Sequence, residues 1–324
     1  MKLRPLLIVA LVAIWVSAIS ERLIHKAAVT PHAPTEHVQR GDKQENQTHG
    51  YGEPVQLGLI QDTAINESSG LVASRANPGL FWTHNDSGDG PFVYALDRQG
   101  KSRGVWRVSG AEAHDWEDIA AGPGPLKNRS YLYIGDIGDN NSKRSEIEIY
   151  RVLEPTITHA ASRSTKSTPQ ALGPAEVFHL RYPDKPHDAE TLLVHPRSGD
   201  VYVITKEFLG RAEIYKAKAP LDKQHATNLV KIGELNIPSL LGGFVTGGDI
   251  SPDGRRVAVC DYGSGYELVL AGDKAFDEIW KQPVNVLTLG RRKQGESIAY
   301  RLDGKGLLTT SEGTHSPLIE IVRP

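Results

Sequence analysis

Five times along this chain the same passage returns: a cluster of acidic or small residues, an aliphatic anchor, a turn, and a second apolar run that ends in polar side chains. The opening runs are Glu67-Ser68-Ser69-Gly70-Leu71, Asp115-Trp116-Glu117-Asp118-Ile119, Asp188-Ala189-Glu190-Thr191-Leu192, Thr246-Gly247-Gly248-Asp249-Ile250 and Gln294-Gly295-Glu296-Ser297-Ile298. Turn-forming residues follow at 195–200, 251–254 and 302–306. Short alternating runs joined by Ser-Gly and Asp-Gly turns are hairpin signals. A small repeated sheet cannot bury both its faces alone, so such units stack on one another.

Each passage continues in the same way. Second strands are expected at residues 80–83, 131–135, 201–205, 257–260 and 306–310, and third strands at 92–96, 147–151, 212–216, 267–270 and 317–321. Fourth strands are expected at 105–108, 177–180, 229–232 and 284–287, and the last repeat runs out of chain before it has one. An extra apolar run at 55–60 precedes the first repeat. The prediction is an all-β, five-bladed β-propeller of four-stranded antiparallel blades over residues 51–324, closed by an N-terminal strand that completes the last blade. Closure of that kind removes exposed sheet edges. Residues 154–175, rich in Ser, Thr and Pro, read as a surface loop rather than a sixth blade.

The N-terminus carries its own signal. Lys2 and Arg4 precede an apolar run at 6–19, which Ser20-Glu21-Arg22 ends. The run falls short of the ~20 residues of a usual spanning helix. It fits a signal peptide, with Val16-Ser17-Ala18 as the small-residue cleavage signal, or a short uncleaved signal anchor over residues 1–20. Either reading exports the body to the periplasm or the extracellular space, because the basic end stays inside. Contact with a membrane is expected through this segment alone. Residues 21–50 are polar, with His25, His32, His37 and His49 irregularly spaced, and read as a disordered linker.

Composition closes off other classes. A net charge of -2 gives no case for nucleic-acid binding. The single cysteine, Cys260, cannot form an internal disulfide, so packing and sheet pairing must hold the fold, expected as a monomer. Within Val257-Ala258-Val259-Cys260 it reads as a small buried apolar residue, not a nucleophile. No Gly-x-Ser-x-Gly elbow or phosphate-binding loop is present.

Aligning the opening runs on Leu71, Ile119, Leu192, Ile250 and Ile298 brings out the chemistry. Glu67, Asp115 and Asp188 lie four residues before the anchor, Glu117, Glu190 and Glu296 two before, and Asp118 and Asp249 one before. Even offsets place the first two sets on one side of their strands. In a propeller the first strand of each blade lines the central channel, so these carboxylates should crowd one opening. Like charges at about 4–6 Å raise one another's pKa, and a bound cation resolves the conflict. Ca²⁺, which takes about 6–8 oxygen ligands in loose geometry, suits such a ring better than Mg²⁺. The expected metal ligands are Glu67, Asp115, Glu117, Asp188, Glu190, Asp249 and Glu296; the alternative is that they pair with strand-end Lys or Arg or are solvated at the mouth.

Two closer repeats, His114-Asp115-Trp116-Glu117 and His187-Asp188-Ala189-Glu190, set imidazole beside carboxylate. That combination serves general acid–base chemistry or a transition metal, or the histidine hydrogen-bonds a neighbouring loop and orients the acid. His114, His187, Glu117 and Glu190 are the expected catalytic residues. The runs at 84–89 and 136–140 are oxygen-rich and read as calcium loops or as Asx-turns. Lys206, Tyr262 and Arg301 are expected to bring charge or donors to the same rim.

At Glu67-Ser68-Ser69-Gly70-Leu71, Trp82-Thr83-His84-Asn85-Asp86-Ser87-Gly88-Asp89, Asp115-Trp116-Glu117-Asp118-Ile119, Gly135-Asp136-Ile137-Gly138-Asp139-Asn140, Asp188-Ala189-Glu190 and Gln294-Gly295-Glu296-Ser297 the chain resembles a family of exported bacterial β-propellers. More distantly its layout is similar to the SdiA-regulated propellers, the esterase-like phytases and the calcium-activated nucleotidases. The distant resemblance implies channel acids that hold calcium, here Glu67, Glu117, Glu190 and Glu296, and in the last two groups hydrolysis of phosphate esters or anhydrides. Gly248 departs from that pattern, with Asp249 displaced by one residue.

Two functions are expected. The first is a binding module at the cell envelope, with Ca²⁺ in the channel and a small anionic ligand or an envelope partner at the rim. The alternative is a calcium-dependent hydrolase of a phosphoester or lactone, in which the cation polarises the substrate and an acid or histidine activates water.

Overall fold

The computed structural model describes residues 50–239 and 242–324. The expectations for the leader and for all but the last residue of the linker fall outside these residues. Among the described residues no helix is long and apolar enough to cross a membrane.

Five sheets form the propeller. Their innermost strands are Ser68–Ala73, Trp116–Pro123, Ala189–Val194, Gly247–Ile250 and Gly295–Tyr300, and each packs beside the next, the fifth returning to the first. The apolar alternation of the sequence explains the ring. Every blade buries one face against the blade before it and one against the blade after it, and the core divides accordingly. Trp82 and Val93 of blade 1 meet Trp116 and Ile119 of blade 2. Tyr133 and Phe178 meet Leu192 and Val203 of blade 3. Tyr202 and Ile214 meet Ile250 and Val257 of blade 4. Ala258 and Cys260 meet Ile298 and Tyr300 of blade 5, and Leu308 and Leu318 meet Leu71 and Phe81 of blade 1. Each fully buried aliphatic or aromatic side chain contributes about 1.5–3 kcal/mol, so every interface is held by several such contributions. Cys260 is one of these core residues, and burial pushes its thiol up to about 11.

The N-terminal strand closes the ring as expected. Val55–Leu59 pairs antiparallel with Pro317–Val322 on the outside of blade 5. Beside this seam the buried Glu267 accepts hydrogen bonds from Tyr51 at 2.9 Å and Tyr300 at 2.8 Å and pairs with Arg323. One carboxylate thus ties the start of the domain, blades 4 and 5 and the end of the chain together.

Two outer strands escape the sequence reading. Residues 154–175 are more than a loop: Gln170–Leu172 adds a parallel fifth strand to blade 1 against Ser102–Val108. The root of this excursion is fixed by the buried Glu154, which accepts from Trp82 Nε1 at 2.9 Å and from Ser74. Thr227–Asn228 adds a parallel strand to blade 2 in the same way. Strands of two or three residues are too short for alternation to show.

A second departure bears on the channel. In blades 1, 2, 3 and 5 the register between the first two strands slips by one residue, between Ser68 and Leu71, Trp116 and Asp118, Ala189 and Thr191, and Gly295 and Ser297. Blade 4 has no slip; Gly247 faces Cys260 and Gly248 faces Val259. A bulge inserts one residue and re-aims its side chain. Glu117, Glu190 and Glu296 are the inserted residues, so their direction comes from the bulge and not from simple alternation.

Candidate functional site

The three bulge acids lie at the start of their inner strands and are withdrawn from solvent, with relative exposures of 4% for Glu117, 6% for Glu190 and 5% for Glu296. Each has a different set of neighbours.

Glu117 has none that neutralises it. Its carboxylate takes no hydrogen bond and no ion pair from any described residue. It stands instead with two more acids: oxygens of Asp86, Asp115 and Glu117 lie within 4.8 Å of one another. The loop carrying Asp136 and Asp139 covers the pair from blade 2. A Cβ at Gly138 would fall 2.3 Å from Glu117 Oε1 and 2.5 Å from Asp115 Oδ2, so any larger residue there would have to push these carboxyl groups aside. Burial, with Glu190, Asp86 and Asp115 nearby, holds the Glu117 carboxyl well above the usual range. Burial also pushes Asp86 up to about 7, against the opposing hydrogen bond from the Ser87 N–H, and raises Asp115 with help from Asp188.

Glu190 is paired with Lys206. Burial still lifts its carboxyl to about 8, because desolvation and Asp188 together outweigh the ammonium. Burial alone would lower the Lys206 pKa; Glu190, then Tyr262, reverse this and raise it. The ammonium lies 4.6 Å from the centre of the Phe244 ring and 5.6 Å from that of Tyr262. These aromatic rings occupy the sector where blade 4 offers Gly248 instead of an acid. Glu296 is bridged: Gln294 Nε2 donates to Glu296 at 3.0 Å and to Glu312 at 2.6 Å. Burial and the neighbouring Glu312 hold Glu296 well above the ordinary carboxylate range.

The structure therefore brings Asp115 and Glu117 of the expected ligands together and places Glu190 and Glu296 on the same mouth with partners of their own. Asp188 is next to them, but its Oδ1 accepts the Asp139 N–H at 2.8 Å. Glu67 is exposed and outside the trio; burial, then Glu312 and Asp89, raise its pKa. Asp249 leaves the expected ring. Its oxygens accept the N–H of Ile250 at 2.8 Å and, across the blade boundary, of Tyr300 at 2.9 Å. Asp118 does the same one boundary earlier, accepting Ile119 N at 2.8 Å and Leu192 N at 3.0 Å. These two aspartates, each one before its anchor, thus staple blade to blade.

The histidines are not at the ring. His187 is buried with Nε2 3.1 Å from Asp184 and 2.9 Å from the Tyr215 hydroxyl, against Tyr182. His114 is exposed, with Nδ1 3.4 Å from the buried Asp136, which also binds Arg144 at 2.7 Å. Neither imidazole reaches Glu117 or Glu190, because both precede the channel acids where the chain has not yet entered the inner strand. Arg301 follows the inner strand of blade 5 and so lies at the opposite end, paired with Asp303 and Glu320. Asp86, which completes the trio, sits in one of the oxygen-rich runs noted above; its place became visible only when the second strand of blade 1 was set beside the first strand of blade 2. Glu312, at the matching strand end of blade 5, was missed for the same reason.

No known protein-family model matches this chain, and no curated protein matches it.

Proposed function

We propose that this propeller is an exported binding module whose channel mouth holds a divalent cation, calcium, at Asp86, Asp115 and Glu117. One observation carries the reading: a buried carboxylate without a partner stands within 4.8 Å of two more. Three charges so close repel strongly, and a cation among them reverses the sign of every pairwise term. Among the described residues, Lys206 beside them is committed to Glu190, and Arg144, whose field reaches Asp115, is committed to Asp136. An all-oxygen donor set favours a hard cation. The resemblance to calcium-holding propellers points the same way. Export rests on Lys2, Arg4 and the apolar run after them.

Equilibrium dialysis of the full-length chain against Ca²⁺, Mg²⁺ and Zn²⁺, followed by metal analysis, tests the site. One Ca²⁺ per chain is expected, with affinity at least about tenfold weaker in Glu117→Gln. No retained metal, or equal retention by the variant, sinks the reading. Secretion of the full-length chain from expressing cells, compared with a form lacking residues 1–20, tests export.

A hydrolase is the second reading. Glu190, with its carboxyl at about 8 beside Lys206, and Glu117 in the same mouth form a pair of carboxyl groups in unlike environments, the usual basis of an acid–base pair. Turnover of a phosphoester or lactone that disappears on chelation and in Glu190→Gln would favour it; an inactive wild type across such a panel would reject it.

A further inference from the structure

The other end of the channel has the reverse chemistry. Where the inner strands of blades 1 to 3 finish, a cavity of about 550 Å³ opens, and its wall contains no carboxylate. Arg75, Asn128, Arg129, Ser130 and Thr156 supply its polar groups. A neighbouring cavity of about 630 Å³ shares Arg129 and Thr156.

Two arginines therefore line one hollow, and neither side chain has a hydrogen-bond or ion-pair partner among the described residues. Arg75 is partly buried and makes no hydrogen bond or ion pair with any described residue. The fields of Asp249 and Glu154 favour its charged form, but neither acid bonds it: Asp249 accepts backbone N–H groups, and Glu154 accepts from Ser74 and Trp82. The Arg129 side chain is exposed at the rim and has no partner either. Between them the turn holds Asn128 in the left-handed region, at a φ of 59°, with its amide unpaired. Ser130 Oγ in the same wall is buried without a hydrogen-bond partner. Guanidinium forks match planar and tetrahedral oxyanions, and the charge-assisted bonds they form are among the stronger polar contacts.

We infer that this cavity is a binding site for an oxyanion, the phosphate or carboxylate group of a small ligand, held by Arg75 from within and Arg129 at the rim. The site is separate from the cation-binding mouth and does not depend on it.

Calorimetric titration of the full-length protein with inorganic phosphate and with acetate, at fixed ionic strength in chloride, tests this. Saturable binding of one anion per chain is expected, weakened about tenfold or more in Arg129→Gln and in Arg75→Gln. Lys127→Gln, beside the cavity but not in its wall, should bind as the parent does. Stronger binding of phosphate assigns a phosphate-bearing ligand, and stronger binding of acetate a carboxylate. Arg129 is exposed, so its variant keeps the core intact and gives a result even where Arg75→Gln fails to fold. Absence of saturable heat from either anion below about 10 mM, or unchanged affinity in Arg129→Gln, overturns the assignment. Calcium retention by Arg129→Gln should equal that of the parent, which separates failure here from failure at the mouth.

Discussion

Glu117 and Asp118 are adjacent in the chain, both buried, both carboxylates, and opposite in their relation to the fold. Asp118 and its counterpart Asp249 accept two backbone N–H groups each, one from the neighbouring blade. Of the bulge acids just above them, Glu117 has no donor among the described residues, Glu190 has the Lys206 ammonium, and Glu296 shares Gln294 with Glu312. Burial raises the carboxyl groups of both layers. In the lower layer each carboxylate holds two blades together in return, whereas that of Glu117 holds nothing. The lesson is that burial of a carboxylate says little by itself; what the group accepts decides whether it builds the fold or waits for a ligand.

The largest effect should come from the lower layer. Asp118→Ala orphans the N–H groups of Ile119 and Leu192, and a loss of about 2–4 kcal/mol in urea unfolding is expected. Asp249→Ala should behave alike. A loss under about 0.5 kcal/mol for both would end the distinction.

Next in size is pH. Mouth and staple carboxyl groups have folded pKa values above their unfolded ones, so they favour the folded state most while protonated. That contribution is complete below the ordinary carboxylate range and is lost as pH rises through about 7 for Asp86 and Asp249 and about 8 for Glu190. Metal-free protein should therefore melt at falling temperature between about pH 5 and pH 9. Calcium should restore much of the loss at the alkaline end. A melting temperature that climbs over this interval contradicts the picture.

A smaller and opposite change is expected at Glu117. Glu117→Gln should stabilise metal-free protein by about 1 kcal/mol at pH 8 by removing the repulsion, and should abolish the calcium response. Destabilisation would place Glu117 with the staples. Least of all should His114→Gln alter calcium affinity, because His114 is exposed and outside the trio; a change beyond about threefold would bring the histidine back to the mouth.

Much of the architecture could be read directly from residue order. Five aligned anchors set the number of blades, and the surplus run at 55–60 matched the deficit in the last repeat, because sheet closure is a problem of counting strands. The site was legible only in part. Parity along a strand correctly grouped Glu117, Glu190 and Glu296, yet the bulge supplies their direction, and a bulge has no signature in these runs beyond the acid itself. The same parity set Asp249, one residue before its anchor, apart from the other acids of the expected ring; what parity could not show is its partner, Tyr300 N, which belongs to another blade. Asp86 comes to the trio from a second strand, and contacts between strands of different blades leave no mark in the local pattern. The place of the histidines was hidden for a related reason: proximity in sequence to an acid fixes nothing about the side from which the ring approaches.

The pairing of Val55–Leu59 with Pro317–Val322 has a consequence for timing. The first strand of the domain to be synthesised has no partner until the last residues are available, so the nascent chain must keep an unfinished edge in reserve throughout its synthesis. Assembly of the ring is for this reason a terminal event, and loss of even the final strand would leave two open edges, the kind that recruit other chains.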